Sequence, residues 1–362
     1  MKICIILMFL ANMLFAGSGF QPASTCGECH EEIYQQWSAS MHGKSTIQKD
    51  PLYRGMYEWA IKDTDGKLQS RCLSCHAPLS LVLDSNDPEQ SFNQDGVTCQ
   101  FCHGIRNISD RHSLAGVDVD LTTVYSSQPE TDIDAHPTAH RDFFTKSDVC
   151  LPCHAEMRGP NDIEVCATGS EWNAFAAENP KTCQDCHMRN ESGETSHLFP
   201  GTHQGNLLQN SVEMEMQFDE QESLLTITMQ SIHSGHALPT GTPLRLLTIK
   251  VVGLNDQGET IWENWATNPM KEDKSALFMK ILADSGGNGP VPPWQAQQII
   301  YDRRLMPGTS DEITYRIDND GIHKIAATLH YHFAPKPILK KFNITDEHFT
   351  KPRIVAREVI VF

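Results

Sequence analysis

Ten cysteines and five histidines of this chain fall into one repeated pattern: CGECH at 26–30, CLSCH at 72–76, CQFCH at 99–103, CLPCH at 150–154 and CQDCH at 183–187. On one helical turn, residues i, i+3 and i+4 share a face. Each motif therefore offers two thiols and one imidazole to the same object. C-x-x-C-H is the attachment signature of c-type haem. Cys26 and Cys29, Cys72 and Cys75, Cys99 and Cys102, Cys150 and Cys153, and Cys183 and Cys186 would form thioethers to porphyrin vinyl groups. His30, His76, His103, His154 and His187 would reach the iron from one side. Zinc ribbons and disulfide scaffolds also use paired cysteines, but neither needs a histidine after every second one. Five repeats imply five covalently attached haem c groups.

The other axial position decides what such irons do. A second histidine saturates the metal and leaves an electron carrier, whereas an open position admits a substrate. The chain has 17 histidines, and six non-motif ones lie among the motifs: His42, His112, His136, His140, His197 and His203. His42, in WSASMH, follows a stretch of helical character, EEIYQQW, which can carry it from the first haem to a neighbour. His136 and His140 lie in AHPTAHRDFF and are alternatives for one position. His197 and His203 bracket SHLFPGTH, where at least one is expected to ligate. His112, in SDRHS, is a ligand or a plain loop residue. Cys166, in IEVCATGSEW, is the one unpaired cysteine of the mature chain: a buried thiol, an axial thiolate or an intermolecular disulfide partner.

CGECHEEIYQQWSASMH, GVTCQFCHGI and TCQDCHM resemble multihaem cytochromes of the cytochrome c-554 type, within the wider hydroxylamine oxidoreductase-like group. The resemblance covers most of residues 24–205. It implies a mostly helical, loop-rich fold with haems in closely stacked pairs, and His42 as a distal ligand through the matching W-x-x-S-x-H element. Five motifs depart from a four-haem pattern, so the haem order does not transfer.

The rest of the chain has to position these groups. Residues 1–18, with an apolar run from Ile3 to Phe15, read as a secretory signal, too short to span a bilayer. This places the mature protein in the periplasm or at the cell surface. A net charge of −17 argues against nucleic acid as partner. Apolar residues make up 39% and aromatic ones 8%, a thin supply for two cores, so porphyrins are expected to fill part of the cytochrome domain at 21–205.

From 206 to 362 there is no cysteine, and period-two runs appear: Val212, Met214, Met216; Leu225, Ile227, Met229; Leu247, Ile249, Val251. With turn signals at NDQG and DNDG they predict an antiparallel β-sandwich-like domain, making the whole an α+β multidomain protein. Residues 268–297 read as an irregular insertion, and His330 and His332, spaced as a metal pair could be, read rather as a solvated strand face. HSGHALPTG at 233–241, Arg245 and DRRLMPG at 302–308 resemble the β-domain appended to many multihaem cytochromes. There the GHxLPTG element lies against the haem domain, which suggests His236 as a further axial ligand; the alternative is a tight turn shaped by Gly235, Pro239 and Gly241 whose histidine hydrogen-bonds locally.

The leading expectation is electron transfer along mostly bis-histidine haems, in respiration or to the outside of the cell. Partners would be other cytochromes, a quinol-linked membrane complex or a terminal reductase. Two alternatives are an oxidoreductase acting on a small nitrogen or sulfur species at one open haem, and a homo-oligomeric subunit of a conducting filament.

Overall fold

The computed structural model describes residues 19–131, 134–189 and 192–362, so the expected signal segment at 1–18 lies outside the described residues. Two compact units emerge: residues 1–153 with 181–203, and residues 154–180 with 204–362. The stretch 154–180, between the fourth and fifth motifs, thus packs with the β-rich unit.

The first unit is built from short helices joined by loops. Its longest helix, Pro51–Asp63, starts where chemistry dictates: Asp50 accepts hydrogen bonds from the amides of Leu52 and Tyr53, and Pro51 takes the first turn. Two of the motif helices begin likewise. Thr98 caps Cys99–His103 through the Phe101 amide, and Thr182 forms a capping box with Asp185 ahead of Cys183–His187. Motifs three and five each carry that threonine directly before the first cysteine. Small strand pairs fill the loops: β1 (Ile105–Ile108) with β2 (Val117–Val119), antiparallel, and β3 (Val124–Ser126) with β4 (Thr138–His140), parallel. Side chains supply only a modest core, centred on Phe20, Leu79, Phe101 and Ile105.

In the second unit β5 (Met157–Arg158) pairs with β6 (Glu164–Cys166), and the helix Thr168–Ala176 follows. Nine further strands are β7 (Val212–Asp219), β8 (Leu224–Ser231), β9 (Leu246–Leu254), β10 (Thr260–Glu263), β11 (Leu277–Ala283), β12 (Gln298–Arg303), β13 (Ser310–Arg316), β14 (Lys324–His332) and β15 (Arg353–Val361). One sheet runs β12-β11-β9-β14-β15, with β10 also paired to β9, and the other runs β13-β8-β7. Strict alternation along β8 places Leu225, Ile227 and Met229 on its buried face, as period-two patterning requires. The architecture is α+β, with most helices and haem-motif residues in one unit and the two large antiparallel sheets in the other.

Two readings of this half change. β11 is a strand within the stretch expected to be irregular, and every one of its residues, LFMKILA, is buried. A strand covered on both faces has no alternation to detect. His332 is not on a solvated face: its Nε2 lies 2.9 Å from Thr248 Oγ1, and burial lowers its pKa to about 4.

Candidate haem sites

Three of the five motif histidines share a way of being held. The Nδ1–H of His76 donates to the Ser45 carbonyl at 3.1 Å, that of His103 to the Tyr125 carbonyl at 2.9 Å, and that of His187 to the Pro200 carbonyl at 2.7 Å. A carbonyl can only accept, so these bonds put the proton on Nδ1 and leave the Nε2 lone pair for a metal. Ser45 does more, because its hydroxyl also lies 2.9 Å from the His42 carbonyl and 2.7 Å from that of His76. It ties the histidine downstream of motif one to motif two. Gly96, at φ 76°, closes over the same turn, where a Cβ would sit 2.6 Å from the His42 carbonyl oxygen.

Two of the remaining histidines face motif histidines. The ring centres of His30 and His136 are 6.5 Å apart, and those of His103 and His197 are 6.2 Å apart. With metal–nitrogen bonds of about 2 Å and about 1 Å from nitrogen to ring centre, two imidazoles trans on one metal stand about 6 Å apart. Both pairs have the separation that a shared iron requires. His136 Nδ1 and His197 Nδ1 are moreover buried without a hydrogen-bond partner, a state that ligation or a bound group would relieve. Burial also lowers the pKa of His103, and that of His197 to about 4 with His103 adding to the effect. Both rings are thus kept neutral, the form that binds metal.

Other candidates are placed differently. His42 lies edge-on to Phe199 with ring centres 4.2 Å apart, and Phe199 is edge-on to His197 at 6.1 Å. Phe199 is held at φ 49°, a strained value for a bulky residue, so the SHLFPGTH turn is shaped around these two rings. His140 is exposed and has both ring nitrogens engaged, by the Gln128 carbonyl at 3.2 Å and Asp142 at 2.8 Å. His112 is exposed in a turn closed by Asp110. His203 is half-buried. In the second unit His233 is exposed, whereas His236 is half-buried with Nδ1 3.1 Å from the Ala237 carbonyl.

The cysteines of different motifs adjoin. Thiols lie close enough to act on each other's ionisation in the pairs Cys26–Cys99, Cys75–Cys153 and Cys150–Cys183. Cys102 is close enough to act electrostatically on Cys150 and Cys153. All eleven described cysteines are free of disulfide bonds. Tyr53 stacks on His76 with ring centres 3.7 Å apart and planes 1° apart, and its buried hydroxyl has no partner. Sequence reasoning missed both Tyr53 and Ser45. The histidines meet in pairs, and among the described residues no three or more of His, Cys, Asp and Glu converge as a bare ion would need. Paired axial donors beside paired thiols are what a porphyrin iron takes.

The comparisons agree. Residues 25–104 match the family model of cytochrome c554 and c-prime. A penta-heme cytochrome c552 from Thermochromatium tepidum has a similar structure, with a TM-score of 0.84 and 26% identity over 95% of this chain and 99% of that one. The chain is a multihaem c-type cytochrome. No curated protein matches it. As a cytochrome of this kind it binds haem c covalently and transfers electrons. No helix among the described residues is long and apolar enough to cross a membrane.

Cys166, by contrast, sits apart from the motifs. It packs with Val165, Leu282 and Ala296 in the second unit, and burial pushes its thiol up to about 11. A thiol so protonated is a poor nucleophile and a poor ligand.

Proposed function

We propose that this cytochrome is an exported pentahaem electron carrier whose irons are mostly saturated by histidine pairs. Residues 1–18 are its export signal, 21–205 its haem-bearing region and 206–362 its β-domain. The observation that carries this reading is the ring separation of 6.5 Å for His30–His136 and 6.2 Å for His103–His197. Haem c, when bound, supplies a one-electron iron couple. The chain's own contribution is to fix that couple: two imidazoles per iron, with Nδ1–H bonds to carbonyls holding motif rings in orientation.

His42, His203 and His236 are the proposed donors for the remaining irons. His112 and His140 are left out of this set, since both are exposed and His140 has both nitrogens committed. The contacts among cysteines support an order for electron passage. Attachment sites one and three adjoin through Cys26 and Cys99, and site four meets both two and five through Cys153 and Cys150. Site three approaches four through Cys102. The proposed path is one–three–four, with branches from four to two and to five. Redox proteins such as other cytochromes, a quinol-linked membrane complex or a terminal reductase are the proposed partners.

Replacing single histidines tests the ligand set. Low-temperature EPR of oxidised His136→Ala and His197→Ala should each show one haem changed from low-spin to high-spin, and His140→Ala none. Native spectra from both of the first two variants would overturn the assignment.

A further inference from the structure

The loop that carries His236 is held from beneath by one carboxylate. Glu171, on the helix Thr168–Ala176, is buried, its side chain 5% exposed. Its Oε2 accepts from the Ala237 amide at 3.1 Å and from the Thr240 hydroxyl at 2.7 Å, while Oε1 accepts from Arg304 at 2.6 Å. Thr168 on the same helix meets Thr240 at 2.8 Å. Gly235 lies so close to Phe175 that a Cβ there would come within 3.2 Å of the ring. The loop's far side is fixed by paired backbone bonds between Leu238 and Leu305.

The same helix is tied to the fourth motif. The Gly169 amide donates to the Ala155 carbonyl at 3.0 Å, one residue after His154, and the Ser170 hydroxyl donates to Glu156. The segments next to His154 and His236 are therefore both bonded to the first turn of one helix, at Gly169 and Glu171, two positions apart. His236 also has its Nδ1 against a carbonyl, that of Ala237, as His76, His103 and His187 do. A buried carboxylate is costly unless fully bonded. Here all its bonds go to the segments that set the two flanks of the loop.

We infer that Glu171 is the positioning residue for His236, holding it as sixth ligand of the iron bound by His154. The inference rests on the proposed reading of His236 as a ligand. Glu171 touches neither haem nor iron in this role; it acts by fixing the Ala237 amide and the Thr240 hydroxyl on either side of the cis Leu238–Pro239 bond.

The test uses the full haem-loaded protein and reads the spin state of its irons. His236→Ala should lose the low-spin signal of one haem and gain a high-spin one, restored by added imidazole. Glu171→Ala should show the same change at the same haem in more than half of the molecules. Glu171→Gln, which keeps an acceptor for Ala237, should fall between that and native. Thr240→Val removes one contact without leaving a buried charge, and carries the test if Glu171→Ala does not assemble. It should give a smaller high-spin fraction that imidazole also abolishes.

A native spectrum from His236→Ala overturns the ligand reading itself. A changed His236→Ala spectrum with native Glu171→Ala and Thr240→Val spectra leaves that reading standing and overturns the role of Glu171. Adding His236→Ala to a His154→Ala chain should alter no second haem; a second altered haem would assign His236 to another iron.

Discussion

The two units solve the problem of an interior in opposite ways. Of the twelve largest fully buried side chains, ten belong to the β-rich unit and only Leu79 and Leu151 to the unit with the haem motifs. In the β unit, long antiparallel strands bury Leu225, Ile227, Met229, Leu247 and Ile249 completely. In the other, short helices carry the motif thiols and imidazoles, and buried polar atoms such as His136 Nδ1, His197 Nδ1 and the Tyr53 hydroxyl have no partners. A fold whose interior is cofactor needs few aliphatic residues but many oriented donors. A fold whose interior is side chain needs the reverse.

The largest expected effect separates the units by their dependence on haem. Protein made without haem attachment should show fast amide exchange through residues 19–153 and 181–203, while β9 and β14 stay protected. Equal protection in both would break the contrast. Truncating the aliphatic core should do the opposite. Ile249→Ala, at a site with 0% exposure, should cost about 2–5 kcal/mol in unfolding of the β unit. The visible haem spectrum should not change, and a shift in the haem bands would show that the two interiors are not separate.

A smaller effect depends on pH. Burial holds His332 at about 4, below its ordinary value of 6.5. The unfolded chain therefore binds the proton more readily than the folded one. The stability this gives is fully present above about 6.5 and is lost as pH falls toward about 4. Melting of the β unit followed across that window should show the loss, and His332→Gln should flatten it. The smallest expected effect is at the exposed pair Arg106–Asp118, 2.7 Å apart, where Asp118→Asn should leave the melting curve unchanged.

The attachment chemistry was legible in the sequence because C-x-x-C-H is local: spacing alone places three groups on one helical face. The strands of β7, β8 and β9 were legible for a similar reason, since one buried face writes itself as alternation. β11 was not, because a strand buried on both faces looks like any apolar run. The placement of the candidate distal histidines was only partly legible. AHPTAHRDFF offers His136 and His140 four residues apart, and nothing local says that one meets His30 while the other turns to Asp142. Ser45, Tyr53 and Glu171 carry no motif at all. Their roles arise from contacts across 31, 23 and 66 residues, to His76 for the first two and Ala237 for the third.

Low-temperature EPR of the oxidised, haem-loaded native protein bears most directly on whether histidine pairs make this cytochrome a carrier. Low-spin signals alone, unchanged by added nitrite or hydroxylamine, are the predicted result. A full haem equivalent of high-spin iron that binds either molecule would contradict it and indicate an oxidoreductase with one open iron.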